Sequence, residues 1–376
     1  MVAPRVLLVL DAAAEWSRGV LRGFTEVAHE SGWTVLHYHP NADVEWLARE
    51  WDADAMVLGA TGSPSRMSLS RVLVSVNVDR SDQGVASVVP DEARIAELAL
   101  AHLVAVGLKE VTTFHFGRWA FALARDEAFR AASARAGVRV LPGWPFRAEE
   151  DTRALTSWLT ALPSPCGVFA GCDAWARVVA RYALVAGKRV PEDLAIVGVD
   201  DDPLECELTA PPLSSVAVPW RALGRGAAEL VRDGLAGASI QARRIVVAPT
   251  HVVARRSSSA LAIGDELVAR AVTWIRENCG SALTVPLLAR SVATTRQRLE
   301  RRFRAVLGRT VMQEVRRARV ETAQRLLAST EWPLPEVAKR SGFSTAALLS
   351  VAFQRELGVP PGRYRRASRG LLARSE

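Results

Sequence analysis

The sequence predicts a two-lobed α/β domain followed by an all-α domain that contains two helix-turn-helix units. Three observations lead to this prediction. Strand and helix patterns alternate through residues 1 to about 254 and restart once near Val111. One helical pattern occurs twice within residues 284–366, and positive charge is concentrated in the last third of the chain. A length of 376 residues is enough for two or three domains.

The α/β prediction rests on short β-branched runs that alternate with helical segments, which is typical of parallel sheets covered by helices. In the first round, we expect strands at 5–10, 34–38, 55–58, 72–77 and 85–89, with helices at 19–31, 44–51 and 91–106. In the second, we expect strands at 111–116, 138–141, 167–170 and 194–199, with helices at 120–136, 152–162 and 173–186. Residues 214–218 should then lead the chain back towards the first lobe. A helix at 220–235 and a last strand at 245–248 should follow.

The all-α prediction rests on an internal repeat. Each copy fits a short helix, a tight turn, a polar N-cap and a longer helix whose apolar residues lie four apart. The second copy follows the first at an offset of about 49 residues, with one extra residue after its turn. The first copy consists of Leu288, Ala289, Ala293, Thr295, Leu299 and Phe303, and the second of Val337, Ala338, Gly342, Ser344, Leu349 and Phe353. An amphipathic helix containing Val311 and Leu326 joins two helix-turn-helix units of this kind.

The net charge of +8 is divided unevenly along the chain. Residues 255–376 contain 23 of the 48 Lys and Arg residues but only 10 of the 40 Asp and Glu residues, so the preceding part is mildly acidic. A basic region on a helix-turn-helix domain is typical of nucleic-acid binding. A solvated Arg-rich surface is the alternative when charge is considered alone.

Composition excludes several other classes. With 49% hydrophobic and 23% charged residues, the chain is typical of globular proteins, and no apolar run is long enough for a membrane span. The four cysteines form no CxxC pair, which indicates reduced thiols in a cytoplasmic protein and no metal site. No catalytic triad pattern, phosphate-binding loop or HExxH helix occurs, so we expect neither an enzyme nor a bound cofactor.

Residues 284–366 resemble the AraC/XylS-type DNA-binding domain. The resemblance covers the whole domain and rests on these segments: Leu299–Phe303, Leu307–Thr310, Arg316–Leu327, Ala338, Ser341–Ser344 and Gly358–Arg365. It implies a DNA-binding transcription regulator, and the resemblance of the whole chain to known regulators implies that the protein dimerises through its α/β domain.

Polar residues follow several predicted strands of the α/β domain. In open α/β sheets, ligands bind outside the carboxyl ends of the strands. Trp16 and Arg18 come after the first strand, Asp173 after the strand at 167–170, and Asp200 after the strand at 194–199. Carboxylates, an Arg and a flat aromatic face suit a polyhydroxylated ligand held in a cleft between two lobes.

The α/β domain also resembles a family, the LacI-type sensors with a periplasmic-binding-protein-like fold. The resemblance rests on these segments: Ser17–Gly23, Val89–Asp91, Val190–Asp200 and Pro211–Val216. Together with a C-terminal AraC-type domain, the arrangement is similar to the xylose-operon activators. The resemblance implies a sugar effector contacted by Arg125, Asp173 and Asp200, and an activator that contacts RNA polymerase. Ala12–Ala14 departs from the pattern, because its side chains offer no sugar contacts.

The first recognition helix is expected to carry most of the DNA specificity. Leu299 and Phe303 form its buried stripe, so Gln297 and Arg301 face the opposite way. Arg can bind guanine and Gln adenine in the major groove, whereas Thr295 at the N-cap is placed for a phosphate. The predicted DNA contacts are Thr295, Arg296, Gln297 and Arg301 in the first unit, with Ser344, Thr345 and Arg365 holding phosphate in the second.

Each ligand residue also has a purely structural interpretation. Asp173 fits a helix N-cap, Asp200 a turn cap, Arg125 a surface helix position, and Trp16 packing at a lobe edge. The predicted domains are a sensor at 1–254, a linker at 255–263 and a DNA-binding domain at 264–370. Two other functions stay open: a regulator whose body only dimerises or binds protein, and a sugar-converting enzyme with a regulatory tail.

Overall fold

The computed structural model describes residues 3–39, 44–59, 72–117, 119–146, 152–258 and 265–368. It divides into two compact units. The first contains the chain up to Asp91, Val218–Pro249 and the residues from Arg366 onward, and the second contains Glu92–Ala217 and Thr250–Arg365. Among the described helices, none combines the length and the apolar character needed to cross a membrane.

The first unit is built on a parallel sheet of six described strands, in the order β12-β5-β4-β3-β1-β2. Numbered along the whole chain, they are β1 Arg5–Val9, β2 Thr34–Tyr38, β3 Ala55–Leu58, β4 Val72–Val76, β5 Ala86–Pro90 and β12 Arg244–Val247. The helices are α1 Glu15–Glu30, α2 Val44–Glu50 and α8 Trp220–Leu235. Helices α1 and α8 approach closely because Gly23 and Gly224 have no side chains: a Cβ at either position would lie 2.0 Å from a backbone oxygen of the other helix.

The α/β part of the second unit has a sheet in the order β13-β11-β10-β9-β6-β7, with β8 also paired to β6. Only β13 is antiparallel to its neighbour among the described pairs. The strands are β6 Glu110–Phe116, β7 Arg139–Val140, β8 Trp144–Phe146, β9 Cys166–Ala170, β10 Leu194–Asp200, β11 Ser214–Ala217 and β13 Val252–Val253. The helices are α3 Glu92–Ala105, α4 Ala120–Arg135, α5 Thr152–Ala161, α6 Asp173–Val185 and α7 Pro203–Leu208.

The remainder of the second unit is helical and contains two small cores. The helices are α9 Glu266–Asn278, α10 Val285–Ser291, α11 Arg296–Leu307, α12 Val311–Ser329, α13 Leu334–Arg340, α14 Ala346–Leu357 and α15 Pro361–Ser368. Helix α12 starts at a capping box formed by Thr310 and Gln313. Its first half packs in a core around Leu299 and Phe303, and its second half in a core around Phe353. One long helix therefore joins the two units of the repeat.

The predicted fold class is confirmed: an α/β domain of the two-sheet type is followed by a helical domain with two helix-turn-helix units. In the α/β domain the sequence prediction lacked β8, α7 and β13, which are two to six residues long, and in the helical domain it lacked α9 and α15. The predicted linker begins at Arg255, yet the described residues 255–258 are tied to the sheet. The Ser257 hydroxyl donates to the Ile196 carbonyl oxygen at 2.7 Å, and the Ser214 amide donates to the Ser257 hydroxyl at 2.8 Å. The remaining linker residues, 259–263, lie outside the described part of the chain.

Candidate functional site

Arg125 is the centre of a buried polar cluster in the second unit. It lies on α4 and is 1% exposed, so its interpretation as a surface helix residue is wrong. Its Nε atom donates to Glu92 Oε2 at 2.6 Å, and Nη1 donates to the Gly171 carbonyl oxygen at 2.6 Å. Nη1 also lies 3.9 Å from Asp200 Oδ1. Nη2 is buried and has no hydrogen-bond partner among the described residues. Burial without a partner is unfavourable for such a donor.

Asp173 is buried beside this cluster, at the first residue of α6. Cys172 occupies the N-cap position of that helix, while Asp173 Oδ2 accepts from the Asp202 amide at 2.9 Å. Asp173 Oδ1 has no hydrogen-bond partner among the described residues. Gly198 is required here, because a Cβ at that position would lie 2.1 Å from Oδ1. Burial and the neighbouring Asp200 hold the pKa of Asp173 well above its usual range.

Asp200 ends β10 in an unusual backbone conformation. Its φ is +112° and that of Asp201 is +54°, a region that residues other than glycine rarely occupy. Burial raises the pKa of Asp200 to about 7; Glu92 and Asp202 add to the rise, and Arg125 opposes it. Strain of this kind is found at functional sites more often than elsewhere. The backbone therefore aims a weakly ionised carboxyl group at Arg125.

An aromatic wall lies against the same cluster. The rings of Phe121 and Trp175 are stacked, with centroids 5.7 Å apart and planes inclined by 14°. The Arg125 guanidinium lies 5.0 Å from the centre of the Phe121 ring. Sequence reasoning missed Phe121, Trp175 and Glu92. Phe121 could have been identified from the sequence, because it precedes Arg125 by four residues, and side chains one helical turn apart lie on the same face of a helix.

Trp16 and Arg18 belong to the first unit. Trp16 is half-buried, and its ring centroid lies 5.8 Å from that of Trp220, which agrees with packing at the edge of the lobe. Arg18 Nη1 donates to the carbonyl oxygens of Ala12 and Ala13, and Nε pairs with Glu15 at 3.0 Å. These contacts hold the loop after β1. Ligand binding by Trp16 and Arg18 stays a prediction.

The first recognition helix, α11, presents the predicted face to solvent. Thr295 is its N-cap and accepts from the Arg298 amide at 3.3 Å. Arg296, Gln297 and Arg301 are exposed, whereas Leu299 and Phe303 are fully buried. Arg296 pairs with Glu300 at 2.9 Å. A row of donors therefore lies on the free side of the helix.

The second recognition helix, α14, has the same construction. Thr345 is its N-cap and accepts from the Leu348 amide at 3.2 Å, while Ser344 lies exposed just before it. The turns before the two recognition helices contain Ala293 at φ +54° and Gly342 at φ +84°.

The predicted phosphate contact Arg365 lies differently. It is half-buried on α15, and its Nη2 donates to the Trp332 carbonyl oxygen at 2.6 Å. This bond holds α15 to the segment before α13. DNA binding by the seven residues named in the sequence analysis, Arg365 among them, stays a prediction.

Comparison with known families divides the chain in the same way. Residues 100–258 match a family model described as a periplasmic binding protein-like domain. Residues 288–367 match one described as a helix-turn-helix domain. Three of the four cysteines lie in the first region and Cys279 lies between the two, and all four are free thiols in the structure.

One relative aligns with nearly the whole chain and another with part of it. The Xylose operon regulatory protein of Escherichia coli K12 is 27% identical over 381 aligned positions, covering 96% of each chain. An AraC-like transcription regulator of Streptomyces lividans is 36% identical over 104 positions, covering 28% of this chain and 34% of the relative. A solved structure described as the xylose-binding transcription activator XylR has the same fold, with a TM-score of 0.57 and 24% identity over 97% of this chain and 98% of that one. The chain is a DNA-binding transcription regulator in which a periplasmic binding protein-like domain precedes a helix-turn-helix domain, and over nearly its whole length it is similar to the Xylose operon regulatory protein.

Proposed function

We propose that this regulator responds to a small sugar, of the xylose type, bound at the cluster around Arg125. The observation that carries the proposal is the pair of buried atoms without described partners, Arg125 Nη2 and Asp173 Oδ1. They lie in the same cluster as the strained carboxyl group of Asp200. A ligand that accepts from the guanidinium and donates to the carboxylates would satisfy these groups.

A sugar fits the chemistry of this cluster better than an anion or an apolar ligand. Sugar hydroxyls can accept from Arg125 and form hydrogen bonds with the carboxyl oxygens of Asp173 and Asp200, whereas an anion without hydroxyl groups has no hydrogens to donate to those oxygens. The stacked Phe121 and Trp175 offer an apolar surface for the C–H faces of a sugar ring. The name of the Escherichia coli relative, which refers to a xylose operon, is the support for the pentose class.

We propose that α11 reads DNA bases and that the N-caps of both recognition helices hold phosphates. Gln297 and Arg301 are exposed on α11 and carry the side chains that bind adenine and guanine. Thr295, Ser344 and Thr345 are exposed at helix N-termini, which favour phosphate. Arg296 and Arg365 would serve as additional phosphate contacts.

We propose that the α/β lobe of the second unit passes the sugar signal to the helices through direct contacts. The Tyr364 hydroxyl lies 2.6 Å from His251 Nδ1, and the Tyr364 ring packs edge-on against Phe353 of the second core. Arg309 Nη2 donates to the carbonyl oxygen of Ala105 at the end of α3, at 2.7 Å. Burial lowers the pKa of His251 to about 4, so the ring is neutral and can accept a hydrogen bond from the Tyr364 hydroxyl.

We propose a cytoplasmic homodimer that activates transcription and contacts RNA polymerase. Support for dimerisation comes from exposed aliphatic side chains on α6 and α7, which pack against each other. Leu184 is 80% exposed, and Val185, Leu204 and Leu208 are also exposed. Exposed apolar groups of this size commonly mark protein interfaces. The proposed domain boundaries are residues 1–254 and 264–370.

Calorimetric titration of the full-length protein with xylose, other pentoses, hexoses and cellobiose tests the sugar proposal. One sugar should bind and raise the melting temperature. Asp200→Asn should weaken that binding about ten- to a hundredfold, the loss of one hydrogen bond to a charged group. Glu207→Gln, at an exposed carboxylate on α7, is the matched control and should bind like the wild type. If none of the sugars binds, the α/β domain serves dimerisation or protein contacts instead.

A further inference from the structure

The exposed face of the second recognition helix is aliphatic. Leu348 is 54% exposed and Val351 is 68% exposed, and Ala347 is exposed beside them. The opposite face, with Leu349 and Phe353, fills the second core. Exposed aliphatic side chains are costly to leave in water when they lie together. The free side of α14 therefore offers contact area but few hydrogen bonds.

The internal repeat shows what this face corresponds to. The N-caps Thr295 and Thr345 are 50 residues apart, and each recognition helix ends at a left-handed glycine, Gly308 and Gly358, with the same offset. At this offset, Ala347 occupies the position of Gln297, Leu348 that of Arg298, and Val351 that of Arg301. Since α-helix geometry is common to both, Ala347 and Val351 stand where the first unit carries its proposed base-reading groups Gln297 and Arg301, and Leu348 lies next to them at the position of Arg298.

We infer that the second helix-turn-helix unit reads the 5-methyl groups of thymine, through Ala347, Leu348 and Val351. The inference rests on DNA binding by the helix-turn-helix domain and is independent of the sugar proposal. The major groove displays the thymine methyl as its one apolar group, and aliphatic side chains recognise it by contact. Guanine and adenine need donors or acceptors, which these three residues lack.

Charge favours DNA over a protein as the occupant of this face. Lys339, Arg355 and Arg363 are exposed on α13, α14 and α15 of the same unit. The start of α14 presents Ser344 and Thr345, which suit a phosphate. An aliphatic strip within such a basic surface fits a groove that is lined by phosphates and carries methyl groups. A docking site for RNA polymerase on α14 is the competing occupant.

The test uses full-length protein and a duplex selected by it from a random library, without sugar. Each thymine is then replaced singly by deoxyuridine, which removes the methyl group and leaves base pairing intact. We expect sensitive thymines about one helical turn, roughly 34 Å, from the bases read by α11. Each replacement there should weaken binding about fourfold, the value for one buried methyl group.

Variants identify the side chain that makes the contact. Val351→Ala should weaken binding to the thymine duplex and remove the difference between thymine and uracil at one position. Because Val351 is exposed, the melting temperature should not change. Val246→Ala, at an exposed valine of β12, is the control and should keep the full methyl effect. The slope of log affinity against log salt should stay the same, since no phosphate contact is lost.

Three results would overturn the inference while leaving sequence-specific DNA binding intact. Uracil could replace every thymine in that groove without effect, or Val351→Ala could weaken both duplexes equally. Val351→Ala could also leave DNA affinity unchanged while lowering transcription by added RNA polymerase, which would make α14 a polymerase contact. If the protein selects no sequence at all, DNA recognition itself fails, and this inference fails with it. Selective binding without a methyl effect is a different result, because it refutes only the thymine contact and leaves DNA recognition intact.

Discussion

The raised pKa of Asp200 should make the stability of the protein depend on pH. An exposed aspartate titrates near 3.8, whereas burial raises the pKa of Asp200 to about 7 in the folded protein. Between these values, the folded state holds a proton that the unfolded state has lost, so stability falls as the pH rises through this window. A shift of about three units corresponds to about 4 kcal/mol, and this is an upper limit for one group.

Asp200→Asn should remove the part of this dependence that comes from Asp200 and lessen the part that comes from Asp173, because an amide neither titrates nor carries the charge that raises the pKa of Asp173. From pH 5 to pH 8, which covers about two thirds of this window, the wild type should lose up to about 3 kcal/mol more stability than the variant. Burial lowers the pKa of His102 to about 3 and that of His251 to about 4, which acts in the opposite direction. Both histidines are present in both proteins, so their effect cancels in the comparison.

The assay is urea unfolding of wild type, Asp200→Asn and the control Glu207→Gln at several pH values, followed by tryptophan fluorescence. Glu207→Gln should follow the wild type. Identical pH profiles for wild type and Asp200→Asn would refute the account of a buried, weakly ionised carboxyl group. In the wild type, sugar hydroxyls that donate to Asp200 should favour its ionised form, so sugar affinity should rise between pH 6 and pH 8.

Three further outcomes are expected. Phe353→Ala empties a fully buried site and should lower the free energy of unfolding by about 3–5 kcal/mol, measured by urea titration. Gly342→Ala should destabilise the protein far more than Gly358→Ala: both glycines have positive φ, but only at Gly342 would a Cβ lie 2.0 Å from a backbone oxygen. Gly358→Ala is the control and should lower the free energy of unfolding by only about 1–2 kcal/mol. Equal melting temperatures for the two variants would contradict this account. Tyr364→Phe removes the hydroxyl that meets His251 at 2.6 Å, so it should reduce the change in DNA affinity caused by sugar, measured by fluorescence anisotropy; an unchanged response would exclude this contact from signalling.

The sequence predicted the helical domain well, because its structure follows from local patterns. Apolar residues four apart placed Leu299 and Phe303 inside α11, and polar N-caps placed the start of each recognition helix. The N-cap of the second helix is Thr345, one residue beyond Ser344, which had the position equivalent to Thr295 in the repeat. The extra residue noticed in the sequence accounts for this shift.

The effector cluster was less predictable, because it is assembled from distant segments. Glu92 and Arg125 are 33 residues apart and meet only through tertiary packing. The positive φ of Asp200 has no glycine to signal it, and burial of Arg125 contradicts the usual preference of arginine for the surface. Asp173 and Asp200 could be identified because they follow predicted parallel strands, where ligands bind in open α/β sheets. Nothing in the sequence distinguished Phe121 and Trp175 from ordinary core residues.

The most direct test of the central claim measures the binding of the full-length protein to a selected duplex, at fixed salt, with and without each sugar. The account predicts that one sugar, xylose or a close relative, changes the affinity or the footprint. Asp200→Asn should lose that change, and Glu207→Gln should keep it. Tight, sequence-specific binding that no sugar alters would contradict the claim that the cluster around Arg125 controls this regulator.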